Sequence, residues 1–154
     1  TLAERWRIDE YGALRAASGS SYQGYTGQKT LTESTATGFV RIAVTNNTVL
    51  SGVICYTIEA SDGTDYQTRG GVLPFTMINK ANVESGNVGT PDASSEVVTT
   101  STGTLTNTFT VATNAADTMD VLANAVSSLT QTTLRITFTV CLVVPSGSAT
   151  VTTL

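Results

Sequence analysis

The sequence predicts an all-β fold, a β-sandwich or jelly-roll-like domain of about eight strands with an extended N-terminal arm. Three observations lead there. From Phe39 onward, segments of alternating apolar and hydroxylic residues recur with turn signals between them, the pattern of half-buried antiparallel strands. Threonine, a β-branched residue that suits a pleated surface, fills 30 positions, while charged residues make up only 13%, about half the usual share. Finally, 154 residues that are 40% hydrophobic with a net charge of −4 can bury one core without disulfides or metals, which sets the chain apart from disordered sequences. Two regions follow from the pattern: residues 1–37, an N-terminal hairpin and arm, and residues 38–154, the sandwich.

The N-terminal end has its own character. Six of the 20 charged residues fall within the first 15 positions (Glu4, Arg5, Arg7, Asp9, Glu10 and Arg15), beside the only tryptophan, Trp6. "RWRIDEYGALRAA" reads as a strand around Trp6–Ile8, a turn through "DEYG" and a second strand around Ala13–Ala16, a small hairpin. The stretch from Ser18 to Gly38 has no sustained period and is punctuated by Gly19, Gly24 and Gly27, so it reads as an extended arm.

"FVRIAVTN" and "TVLSGVICYTIEA" form a hairpin turned at Asn46-Asn47. The next turn, "SDGTD", contains Asp62-Gly63, which supplies the positive φ angles of short hairpin turns. "YQTRGGVLPFTMIN" is a strand interrupted at Gly70-Gly71 and Pro74, which predicts a bulge or an edge position. Lys80–Ser95 reads as an exposed loop of low complexity.

Met119, Leu122, Val126 and Leu129 recur at helical spacing, yet Met119, Val121, Ala123 and Ala125 also alternate. Strand is favoured, because "SSLTQTT" looks like a hairpin connection to the strand that follows, and pairing overrides weak local propensity. That following strand, Thr133–Val144, puts Leu134, Ile136, Phe138, Val140, Leu142 and Val144 on one face. Its other face is hydroxylic or charged up to Thr139 and apolar from Cys141. The first face is expected in the core, the Thr face on solvent or against a neighbouring subunit, and the end near Cys141 and Val143 covered on both sides. Cys55 and Cys141, each within an apolar stretch, are expected as free thiols in the core, with a disulfide as the minority reading.

Several chemistries are disfavoured. With no histidine and two cysteines, ordinary zinc sites and His-based acid–base chemistry cannot be built. Glu59, Asp62 and Asp65 lack the ligand spacing of an EF-hand and read as a solvated turn. Asp117 and Asp120 lie too close on one strand to flank a scissile bond. "TRGG", Thr68–Gly71, lacks the strand–loop–helix context of a phosphate loop. Lys29 and Lys80 sit in expected loops, away from burial that would lower a lysine's pKa. "NNT" at Asn46–Thr48 matches a glycosylation sequon in a setting nothing else supports. No catalytic, metal or cofactor residues are therefore assigned, and the expectation is that the protein is not an enzyme. Acidity with scattered basic residues argues against nucleic acid. The chain has no apolar run near 18 residues, and "TLAERWRIDE" has charges where a signal peptide would be apolar. The expectation is neither a leader nor a membrane span, although a chain already processed would read the same.

A partner-binding site is the remaining possibility. Trp6, Tyr11, Tyr22 and Tyr25 are four of the ten aromatic residues, all within the first 25 positions. Aromatic side chains anchor interfaces by burying much area at modest entropic cost. The candidate contact set is Arg5, Trp6, Arg7, Ile8, Tyr11, Tyr22 and Tyr25. The competing interpretation is that these aromatics pack back onto their own sandwich.

The charged opening with its tight turn, "ERWRIDEYGALRAA", the Gly/Ser/Tyr arm and long Thr-rich strands such as "FVRIAVTNNTVLSGVICYTIEA" together resemble the auxiliary capsid proteins of tailed bacteriophages, the decoration or cement proteins. The resemblance is one of style, without a motif from which functional residues carry over. It implies a β-sandwich, often a homotrimer, that binds the major capsid protein lattice on the capsid exterior and reinforces the shell. A phage tail or baseplate component is the nearest alternative, and a bacterial adhesin or carbohydrate-binding module shares the same general features.

Overall fold

The computed structural model describes residues 6–8, 14–16, 21–91, 96–114 and 117–154. Among them are twelve strands and no helix: β1 (Trp6–Ile8), β2 (Leu14–Ala16), β3 (Ser21–Thr30), β4 (Thr37–Val44), β5 (Thr48–Ser61), β6 (Tyr66–Lys80), β7 (Val83–Val88), β8 (Val97–Thr100), β9 (Leu105–Asn114), β10 (Thr118–Ser127), β11 (Thr133–Ser146) and β12 (Ala149–Thr153). They form two antiparallel sheets, a β-sandwich. The large sheet runs β1-β2-β3-β11-β5-β6-β7, with β8 also on β6, and the small one runs β12-β4-β10-β9.

The core lies between the sheets, and alternation decides what enters it. Leu134, Ile136, Phe138, Val140, Leu142 and Val144 of β11 are all buried, as the sequence predicts. Ile54, Ile58, Leu73 and Met77 join them from β5 and β6, and Phe39, Ile42, Met119 and Val121 face them from the small sheet. Phe39 packs edge-on against Phe138 (5.0 Å between centroids) and against Phe109 (6.1 Å), which in turn meets Tyr56 (4.7 Å). At one end of the sandwich the buried Gln67 ties the sheets together. Its amide donates to Thr102 O (2.6 Å) and Ser128 Oγ (3.0 Å), and it accepts from Ser127 Oγ (2.8 Å).

The turns expected from sequence are present. Asn47 has φ 60° between β4 and β5, and Gly63 has φ 96° between β5 and β6. Asp62 Oδ1 there accepts from the amides of Thr64 (2.9 Å) and Asp65 (2.8 Å), and these bonds hold its carboxyl below the usual range. β5 and β6 pair without a register shift through Gly70, Gly71 and Pro74. The edge explanation therefore replaces the bulge, with Pro74 lying between the parts of β6 that pair with β8 and β7.

Several expectations are corrected. The stretch assigned to an arm contains β3, which pairs along its whole length with β11 inside the large sheet. The boundary at residue 37/38 also falls within β4. The loop expected from Lys80 to Ser95 includes β7, which follows a left-handed turn at Ala81-Asn82 and pairs with β6. The segment Met119–Leu129 does contain a strand, β10, but it pairs with β4 and β9 instead of β11. "SSLTQTT" consequently crosses from one sheet to the other. Lastly, Cys55 is exposed and Cys141 half-buried, both free thiols on the outer face of the large sheet and not in the core. Among the described residues, the end of β11 near Cys141 is thus covered by the core on one side and open on the other, with Val143 43% exposed.

Candidate interaction surfaces

Two surfaces stand out, and the first is the edge of the large sheet where the N-terminal hairpin attaches. Trp6 is registered with Ala16, Arg7 with Arg15 and Ile8 with Leu14. The hairpin joins the sandwich through Leu14↔Tyr22 and Arg15↔Ser21, and among the described strands β1 pairs with β2 alone.

The structure thus brings Trp6, Arg7, Ile8 and Tyr22 to one sheet edge, while Arg5 and Tyr11 lie outside the described residues. Tyr25 belongs to the core side. Its ring lies 6.3 Å from Phe138, and its hydroxyl shares a hydrogen bond with Thr153 Oγ1 (2.9 Å) and accepts from Thr153 N (3.0 Å). For Tyr25, packing on its own sandwich is the correct interpretation.

The second surface is the outer face of the large sheet, which the sequence reading only partly anticipated. Registers align its outward positions into rungs: Thr30–Arg135–Glu59–Thr68, Gln28–Thr137–Thr57–Gly70, Thr26–Thr139–Cys55–Val72 and Gly24–Cys141–Val53–Pro74. Beyond them Val143 pairs with Ser51, Ser51 with Thr76, and Val49 with Ile78.

One half of this face is polar and internally satisfied. Arg135 forms an ion pair with Glu59 (2.8 Å), Gln28 Nε2 donates to Thr137 Oγ1 (3.0 Å), and Thr26 and Thr139 share a hydroxyl hydrogen bond (3.2 Å). The other half is mostly apolar, with Val49, Ile78 and Val143 exposed at 49%, 46% and 43%, next to Cys55, Val53, Val72, Pro74 and Cys141, and with Ser51 and Thr76 as exposed hydroxylic positions among them. Between the halves, Cys55, Thr57, Thr137 and Thr139 line a shallow open depression of about 210 Å³.

Elsewhere the candidate polar groups are committed to structural partners. Asp120 receives two hydrogen bonds from Arg41 (2.7 and 2.8 Å), and Asp117 accepts from Asn79 (2.6 Å), so the two carboxylates act separately. Arg69, the cation of "TRGG", donates to both oxygens of Glu96 (2.7 and 2.6 Å) and to Leu105 O (3.1 Å). Tyr56 donates to the same carboxylate (2.6 Å), and burial, reinforced by that bond, pushes its phenol well above the usual range. Glu96 is held below its ordinary value by Arg69 first, with Tyr56 adding to the effect. Among the described residues no group of three or more His, Cys, Asp or Glu is placed to hold a metal ion, and no helix is long and apolar enough to cross a membrane.

No protein-family model matches the chain, and no curated protein matches it either.

Proposed function

We propose that this is a structural, non-catalytic protein of a tailed-phage virion, a decoration protein that binds the major capsid protein lattice from outside and reinforces it. The observation that supports this is the hairpin at the sheet edge. β1 and β2 extend the large sheet past β3, with two registered pairs to it among the described residues, and they carry Trp6, Ile8 and two arginines. An element of this sort gains little from its own domain and much from a partner surface, as in recognition modes that reuse strand physics. Trp6, Arg7 and Ile8 with Arg5 and Tyr11 form the proposed attachment element, and Tyr22 sits at its root. The sandwich supplies a rigid body that spans neighbouring capsomers, and attachment through several copies multiplies modest affinities.

The test is cosedimentation with expanded tailed-phage heads assembled from purified major capsid protein. Full-length protein is expected to bind, whereas a chain lacking residues 1–20, or a Trp6→Ala variant, is expected to remain folded and stay in the supernatant. Binding that survives the truncation would reject the hairpin as the attachment element. Full-length protein that ignores heads but binds tails, baseplates or glycans would replace the decoration role with the corresponding alternative.

A further inference from the structure

The outer face of the large sheet is built from four long strands, two of which, β5 and β11, have 14 residues each. At ~3.4 Å per residue and ~4.8 Å between strands, β3, β11, β5 and β6 present a footprint of roughly 46 by 19 Å, near 900 Å². A stable pairwise interface needs about 800 Å² per partner. One such face is therefore large enough.

Its charge pattern favours a copy of itself. Each chain carries a net charge of −4, so most orientations of two copies are mildly repulsive. Along these four strands the outward charged side chains are Arg135 and Glu59, paired with each other at one end, and Lys80 at the other. The space between them is occupied by threonines, serine, glycines, valines, isoleucine, proline, Gln28 and the two cysteines. Two such faces meet without opposing uncompensated charge, and flat sheet faces stack about 10 Å apart with strands inclined by some 30°.

We propose that this face is a homotypic interface, in which Val49, Val53, Val72, Ile78 and Val143 of one copy pack against the same face of a second in a two-fold pair. The pairing leaves both N-terminal hairpins at the lateral sheet edges, free to act together, and it does not depend on what those hairpins bind. It also buries Cys55, which is exposed in the single chain.

The test uses full-length protein and its native thiols. Analytical ultracentrifugation is expected to give twice the 16.0 kDa chain mass. Thiol labelling of Cys55 at that concentration is expected to be at least ~10-fold slower than after dilution to monomer, as mass action requires for a pair about nine-tenths assembled. An Ile78→Glu/Val143→Glu variant is expected to be monomeric with fast labelling. Val126→Glu, at an equally exposed apolar position (42%) on the small sheet, is expected to leave the pair intact. A full-length monomer with rapidly reacting Cys55, or an oligomer of any size indifferent to the double substitution, would overturn the proposal.

Discussion

Two glycines in β3 separate a sheet strand from a free arm. A β-carbon at Gly27 would lie 2.6 Å from Phe138 Cζ and closer still to Thr153 Oγ1, whereas one at Gly24 meets nothing within 4 Å. Neither neighbour of Gly27 has slack. Phe138 is 1% exposed and wedged between Tyr25 and Phe39, and Thr153 is bonded through its hydroxyl and its amide to Tyr25. Overpacking a core costs ~1–3 kcal/mol, and the lower chain entropy of alanine offsets ~0.4–1 kcal/mol of that. Gly27→Ala is thus expected to lose about 1–2 kcal/mol, or ~2–8 °C in Tm for a chain of this size. Gly24→Ala should be neutral or stabilised by up to ~1 kcal/mol. Differential scanning calorimetry of the two variants beside the parent provides the measurement. Equal, negligible shifts would mean that Ser21–Thr30 is not seated on β11, and the placement of β3 would have to be abandoned.

Glu96→Gln breaks the paired hydrogen bonds to Arg69 and should cost about 3 kcal/mol at neutral pH, the lower end for a buried pair because Arg69 remains 22% exposed. Because the folded carboxyl sits below its ordinary value of 4.5, its contribution is complete above that pH and fades as pH falls through the depressed value. The gap between variant and parent in urea titrations should therefore narrow in acid, and a pH-independent gap would exclude the ionic origin. Removing residues 1–20 should keep Tm within about 4 °C of the parent, the shift of ~1 kcal/mol, whereas removing 1–30 takes away β3 and should unfold the domain. Two truncations that melt alike would place β3 outside the cooperative unit. Replacing Val49, Ile78 and Val143 together by threonine should leave Tm of the isolated chain nearly unchanged while abolishing self-association, and retention of the pair would show that it rests on other groups.

The legible parts of the fold were those with one clear face. β11 and β10 show alternation because one side of each meets the core, and Asn46-Asn47 and Asp62-Gly63 announce their turns by backbone chemistry. β3 and β7 were illegible for a shared reason. Their core-facing positions include Gly27 and Gly86, where Phe138 and Met119 from other strands supply the apolar bulk, so the pattern resides in the neighbours and not in the strand itself. The cysteines were misplaced by an error of parity. Ile54 and Tyr56 flank Cys55, and Val140 and Leu142 flank Cys141, but in a strand the adjacent residues lie on the opposite face. Apolar flanks around a strand residue are evidence that the residue itself points outward. The hairpin was readable from "RWRIDEYGALRAA", while the outer face was obscured because "TVLSGVICYT" is apolar at both parities, as in a strand buried on both sides.

That double apolarity bears on what the outer face is for. Burying Leu134 through Val144 requires a long β11, and every inward residue brings an outward neighbour whether or not anything covers it. The fold leaves the identity of those neighbours open, since threonine and valine are both favoured on a pleated surface. The chain uses threonine at Thr57, Thr137 and Thr139 and places Val49, Val53, Val72, Ile78 and Val143 toward the other end of the same face, with Ser51 and Thr76 between them. Strand formation does not account for that gathering of apolar residues on one sheet face, because hydroxylic residues would serve the strands equally well. What separates the two halves is their affinity for water, and a surface sorted in that way is arranged to lose water on one side.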